Sequence, residues 1–355
     1  VTRPGWTATL LGVLLLVAAC AGGGGPAAPT TETSGETMLA NPVLGQGADP
    51  FVVFADGQYH QIMSAAAGDG STLVMRSATS LASLSTAPEQ KIFTGGNDGA
   101  PCCEWWAPEV HQIDGRWYVY VAADDGDNAN HRTYVLSADT ITGPYAFEGQ
   151  LKLPGDRWAI DATVFAVGDA TYTVWSGWPG DENGEQDLYI ARLATPTTVA
   201  GKAVRISRPE LAWETHAGTV GVLVNEGPAA LVRDGRVYLT YSGSGCWTPE
   251  YALGMLTADA SADLLDPASW TKSPEPVFAP AEGSGLYGTG HNNFFTSPDG
   301  TQTWIVYHAV TDPAGSCGAD REVYAQPITF APDGTPQLGT PSTADVPLPS
   351  GDPGS

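Results

Sequence analysis

Basic residues are scarce in this sequence. Lys and Arg number 15 against 39 Asp and Glu in 355 residues, the net charge is −24, and the basic residues form no run. Binding to nucleic acid through phosphate contacts is thereby set aside, and a polyuronate is a poor main ligand because like charges repel. The surplus of acid instead suits solubility outside a cell. Helical periodicity is sparse as well. The apolar stretch Leu10–Ala19 is too short to span a bilayer as a permanent helix. No Cys-x-x-Cys spacing occurs, which argues against a cysteine-held metal.

The first 20 residues carry Arg3, then that apolar stretch, then Val17-Ala18-Ala19-Cys20, which looks like a bacterial lipobox. Residues 1–20 are expected to be an export signal with lipid on Cys20, the one link to a membrane; an ordinary cleaved signal is the alternative. Residues 21–39, rich in Gly, Pro and Thr, read as a flexible linker, and 341–355, rich in Pro, Ser and Asp, as a flexible tail. Between them, 40–340 suits one exported domain, on the cell surface or secreted. Four cysteines remain there, Cys102, Cys103, Cys246 and Cys317. An even count in an exported chain predicts disulfides. Cys246 and Cys317 follow equivalent strands of neighbouring repeats and are expected to pair, leaving Cys102 and Cys103 as a vicinal disulfide or free thiols.

What the chain does have is a unit that recurs five times: an apolar run, a Gly-containing turn and a second run with alternating apolar residues. The copies begin at Asp49, Pro108, Asp161, Glu226 and His291, with turn glycines Gly57, Gly115, Gly168, Gly235 and Gly300. Further short strands such as TLVMRS, TYVLSA and LYIARL lie between them, bounded by Gly, Pro, Asp or Ser. The expected fold is all-β, a five-bladed β-propeller, because repeated strand groups around an axis bring equivalent residues to one central place. A β-sandwich is the main competitor, but its strands would not repeat in this way. Near each first run stands an ionisable residue: Asp49, Glu109, Asp161, Glu226 or His291. These five are expected to meet in a ring.

In a ring of five, Asp49 and Glu226 face each other across the mouth and Asp161 sits beside Glu226. Opposed carboxylates are what an inverting glycosidase needs. One protonates the departing oxygen and the other activates a water on the opposite face, with a gap of roughly 6.5–9.5 Å between them. The charge of Asp161 would raise the proton affinity of Glu226, making Glu226 the acid and leaving Asp49, across the ring, as the ionised base.

The ordered motifs Ala48-Asp49-Pro50-Phe51, Trp106-Ala107-Pro108-Glu109, Ile160-Asp161-Ala162, Asn225-Glu226-Gly227-Pro228 and Gly290-His291-Asn292 resemble those of glycoside hydrolase family 43. That resemblance implies a five-bladed propeller acting on arabinose- and xylose-containing plant polysaccharides or oligosaccharides. It also implies Asp49 as general base, Glu226 as general acid and Asp161 as the residue that tunes and orients the acid. The Asn-Glu-Gly-Pro form is similar to members that release terminal α-L-arabinofuranose from arabinan or arabinoxylan. A β-xylosidase of the same family and a non-catalytic surface glycan-binding lipoprotein are the alternatives.

Further residues are expected to bind sugar: Phe51, where many relatives have Trp; Trp105 or Trp106, since neighbours on a strand point oppositely; Glu109, with a structural hydrogen bond as its alternative; His291, with a hydrogen bond near Asp49 as its alternative; and Arg321, which resembles a family arginine that reaches sugar hydroxyls. No redox cofactor is required. The resemblance leaves room for a calcium or other ion on the axis, with His291 as its candidate ligand, though no oxygen-rich loop supports calcium independently. His60, His111, His131, His216 and His308 show no partner pattern and receive no role.

Overall fold

The computed structural model describes residues 1, 37–64 and 70–354. The expected export signal beyond residue 1, the expected lipid site Cys20 and the expected linker up to residue 36 lie outside the described residues. Among those described, helix is confined to short 3₁₀ turns.

The repeated sequence unit is a hairpin in every copy. In chain order the strands are β1 (Met38–Leu39); then β2 (Phe51–Ala55), β3 (Gln58–Ile62), β4 (Thr72–Ala78) and β5 (Glu89–Thr94). The next group is β6 (Cys103–Ile113), β7 (Arg116–Asp124), β8 (Arg132–Ala138) and β9 (Ala146–Gln150). The third is β10 (Ala159–Val167), β11 (Ala170–Gly177), β12 (Glu185–Thr195) and β13 (Thr198–Ser207). The fourth is β14 (Leu223–Arg233), β15 (Arg236–Gly243), β16 (Ala252–Asp259) and β17 (Thr271–Lys272). The last is β18 (Tyr287–Thr296), β19 (Thr303–Val310), β20 (Glu322–Phe330) and β21 (Pro336–Gln337), followed by β22 (Val346–Pro347).

Pairing within each group is antiparallel, and the third and fourth groups are joined through a short parallel contact of Glu185–Gln186 with Leu223–Val224. Three of the hairpin turns, Asp56-Gly57, Asp114-Gly115 and Asp234-Gly235, have both residues at positive φ. That geometry matches the strand twist, which is why Asp-Gly recurs there. The first strands of the groups touch one another in cyclic order, β2 to β6, β10, β14, β18 and back to β2. Side chains fill the space between adjoining groups. Leu39, Val52, Tyr59, Phe295, Trp304 and Leu348 pack in one such layer, each large apolar side chain contributing about 1.5–3 kcal/mol on burial.

That layer overturns one expectation. Residues 341–354 are no loose tail: β22 pairs with β1, Leu348 is buried, and Asp352 accepts from Leu81 N at 2.9 Å. The Pro- and Ser-rich composition masks two apolar side chains, Val346 and Leu348, that find a seat already lined by Leu39 and Phe295. The linker likewise ends earlier than expected, since Met38 and Leu39 form β1. Both disulfides are present, Cys246–Cys317 as expected and Cys102–Cys103 as the vicinal pair.

Candidate active site

Each first strand carries an irregularity at its start. Asp49 (φ 54°), Ala107 (45°), Asp161 (58°), Gly227 (54°) and His291 (46°) all take left-handed backbone. In four of the groups the pairing register shifts around that residue. A bulge there turns a side chain out of the strand's alternation and toward the centre. For residues with a Cβ this conformation costs about 1–2 kcal/mol, and such strain persists where the surroundings fix it, commonly at working sites. His291 N, for one, donates to Ser242 Oγ at 2.8 Å.

The equivalent positions are therefore Asp49, Ala107, Asp161, Gly227 and His291. Glu226 lies one residue before its left-handed position and Glu109 two after, a register no repeat alignment resolved. The consequence differs for the two. Glu226 joins Asp49, Asp161, His291, Trp106 and Arg321 in the wall of a cavity of about 860 Å³. Glu109 is not part of that wall; it is buried with Oε2 at 2.8 Å from His111 Nε2. Of the expected ring of five ionisable groups, three acids and a histidine line the cavity, and Glu109 stands behind them with its charge still acting on Asp161 and His291. Gly227 is fixed by its neighbour, because a Cβ there would stand 3.0 Å from the His291 ring. Its N–H donates to Asp161 Oδ2 at 2.9 Å.

Asp49 is closely partnered. Arg321 Nη1 and His291 Nδ1 each lie 3.1 Å from Oδ1, Ser64 Oγ donates to Oδ2, and His308 Nδ1, which accepts from Asp49 N at 3.2 Å, lies 3.4 Å from Oδ1. Ser64 also accepts from Ala107 N at 2.8 Å, tying Asp49 to the next strand group. Burial alone would raise the Asp49 carboxyl; His291, Arg321 and His308 outweigh it and hold the group well below the carboxylate range. Burial in turn lowers both imidazoles, His308 to about 4. Above about pH 6.5 both imidazoles are neutral, so there Arg321 is the lasting charge and the histidines act as hydrogen-bond partners.

Glu226 has a different setting. Burial first, then the charge of Asp49, pushes it up to about 7, against the Tyr251 hydrogen bond and the Arg321 charge. Tyr251 Oη donates to Oε1 at 2.9 Å, and the same ring stacks on His308 at 5.8 Å. The tight seat of Tyr251 accounts for Gly290, where a Cβ would come within 2.3 Å of that ring. Asp161 is held well above the carboxylate range by burial and by the charges of Glu226 and Asp49. The expectation that Asp161 charge raises Glu226 is amended accordingly: burial leads for Glu226, and repulsion within the pair falls on Asp161.

Of the residues expected to meet sugar, Trp106 lines the cavity and stacks on His131 at 4.1 Å. Trp105 does not: it is fully buried, packs on Phe93 and donates Nε1 to Pro101 O. Phe51 does not either; it belongs to the core between β2 and β6 and abuts His111. Tyr251, His308 and Ser64 carried no sequence signal, since they lie outside the repeated strand starts. Among the described residues no three His, Cys, Asp or Glu side chains converge as a metal site. With Arg321 and His291 both on Asp49 Oδ1, the protein atoms do not form an oxygen cage for calcium.

An all-β chain with a central cavity holding one depressed and two raised carboxyl groups has the form of a glycosidase site. The sequence model for "Glycosyl hydrolases family 43" matches residues 39–336, and the chain belongs to that family. It is 41% identical over 324 residues to an extracellular exo-α-(1→5)-L-arabinofuranosidase of Streptomyces avermitilis, covering 89% of this chain and 66% of that one. With a protein of the same name from Streptomyces chartreusis it shares 39% identity over 274 residues, 76% of this chain and 81% of the other. A crystal structure of an α-L-arabinofuranosidase from Lactobacillus brevis superposes with a TM-score of 0.78 at 36% identity, covering 85% of this chain and 97% of that one.

Proposed function

We propose that this protein is an exported five-bladed β-propeller that hydrolyses terminal α-L-arabinofuranosides of arabinan or arabinoxylan with inversion. The carrying observation is the opposite displacement of two carboxyl groups in one cavity, Asp49 downward and Glu226 to about 7. Ionised Asp49 takes a proton from water, whose oxygen attacks the anomeric carbon. Glu226 gives its proton to the departing glycosidic oxygen, and the C–O bond breaks on the face opposite the attack. Asp161, bonded to the Gly227 amide, orients the segment that bears Glu226. Trp106, His291 and Arg321, which line the cavity, would contact the sugar. The reaction so drawn needs no redox cofactor. Relatives named extracellular support export, and a lipid on Cys20 would hold the enzyme at the cell surface.

Glu226→Ala should abolish release of arabinose from arabinan while sparing much of the turnover of an aryl arabinofuranoside, because a good leaving group needs little protonation. Full activity of that variant on arabinan contradicts the assignment. Parallel assays on aryl arabinofuranoside and aryl xyloside separate this function from a β-xylosidase.

A further inference from the structure

The Cys246–Cys317 disulfide lies in the wall of the cavity that holds Asp49, Asp161 and Glu226. Its cysteines sit in loops of two different strand groups, one between β15 and β16 and one between β19 and β20. The first loop runs on to Tyr251, whose phenol donates to Glu226 Oε1 at 2.9 Å. The second runs on to Arg321, whose Nη1 donates to Asp49 Oδ1 at 3.1 Å.

Each loop is braced internally. Thr248 N donates to Gly245 O at 2.8 Å, and Arg321 Nε donates to Gly318 O at 3.3 Å. Between the loops, Gly315 (φ 78°) presses so closely on the other backbone that a Cβ would stand 2.4 Å from the Thr248 carbonyl carbon. The covalent tie and this close approach make one wall from two connections that are otherwise irregular backbone.

We propose that the Cys246–Cys317 disulfide positions the proton-handling pair, by splicing the Tyr251 loop to the Arg321 loop so that the acid's hydrogen-bond donor and the base's counter-ion are held at fixed distances. This rests on Glu226 and Asp49 as acid and base. The cysteines act through Tyr251 and Arg321. Opening the tie lets both partners withdraw. A misplacement of about 1 Å far from the chemistry can cost on the order of a hundredfold in rate.

The test is a Cys246→Ser/Cys317→Ser double variant assayed on an aryl arabinofuranoside across pH, beside circular dichroism and thermal melting. The expected result is a folded protein whose kcat falls roughly tenfold to a hundredfold, and whose pH profile moves upward on both sides. The acid side rises because Asp49 loses a cation, and the alkaline side because Glu226 loses a hydrogen bond that favours its charged form. A role in stability alone would lower the melting temperature and leave both limbs in place; that result, or unchanged kcat, overturns the proposal. Should the double variant not fold, a Cys102→Ser/Cys103→Ser protein is folded first and then treated with dithiothreitol, which leaves Cys246–Cys317 as the disulfide to open. The same displaced limbs are expected, and unmoved limbs overturn the proposal. Glu226→Gln and Asp49→Asn with the disulfide intact separate the two levels. Retained activity there refutes the acid and base assignment, whereas activity lost there but kept on opening the disulfide refutes the positioning role alone.

Discussion

Asp49 and Glu226 share a cavity and are both largely buried, yet their carboxyl groups are displaced in opposite directions. The difference lies in what each one faces. Asp49 has a guanidinium, two imidazoles and a serine hydroxyl; Glu226 has one phenol and a negative neighbour across the cavity. Burial raises both, but only Asp49 has enough donors and charge to reverse it. Equal burial therefore does not assign roles; the count and charge of hydrogen-bond donors do.

The sharpest way to break this comparison is to remove the base. Asp49→Asn should lower kcat/KM on arabinan oligosaccharides by roughly 10²–10⁴-fold. Unlike the Glu226 variant, it should not recover on an aryl substrate, since water activation is needed whatever the leaving group. Similar rescue of both variants would erase the distinction.

Removing the lasting cation is next in size. Arg321→Ala should move the acid limb of kcat/KM upward by about one pH unit or more, because an adjacent opposite charge lowers a carboxyl by about 1–3 units. A profile that keeps its acid limb would mean the histidines suffice. Tyr251→Phe should act on the other limb. Wild-type kcat/KM is expected to decline above about pH 7 as Glu226 ionises, and the variant's decline should begin at higher pH, with only a several-fold loss of rate.

The smallest effect concerns stability. Folding raises Glu226 from 4.5 to about 7, so its contribution is fully present below pH 4.5 and is lost as pH rises through 7. Glu226→Gln removes that loss. Its melting temperature should exceed the wild type by a few degrees at pH 8 and match it near pH 4.5; equal melting at both values would mean that Glu226 carries no burial penalty.

Much of the fold was legible because hairpins are local. Alternation, Asp-Gly turns and five-fold recurrence are written within about fifteen residues, and the strands fall where those signals place them. Asp49, Asp161, Glu226 and His291 also reach one cavity. What escaped was decided by distance or by one residue of register. Tyr251 comes from the loop before β16 and His308 from β19, neither with a repeated signature, and His308 meets Asp49 only because the last group closes on the first. Glu109 and Glu226 looked equivalent, but the bulge sends one to His111 and the other to the cavity. Trp105 and Trp106 were indistinguishable as neighbours until the register fixed which faced inward. The C-terminal segment misled because composition weighed its prolines and serines above the two apolar residues that dock it.

The central claim is that two neighbouring carboxyl groups are set apart in acidity by their surroundings. Titrating the wild-type protein by ¹³C NMR, with Asp and Glu carboxyl carbons labelled and the Asp49→Asn and Glu226→Gln spectra used for assignment, measures it directly. Glu226 is predicted to titrate near pH 7 and Asp49 to stay ionised below the ordinary carboxylate range. An Asp49 signal that titrates at or above that of Glu226 would contradict the account.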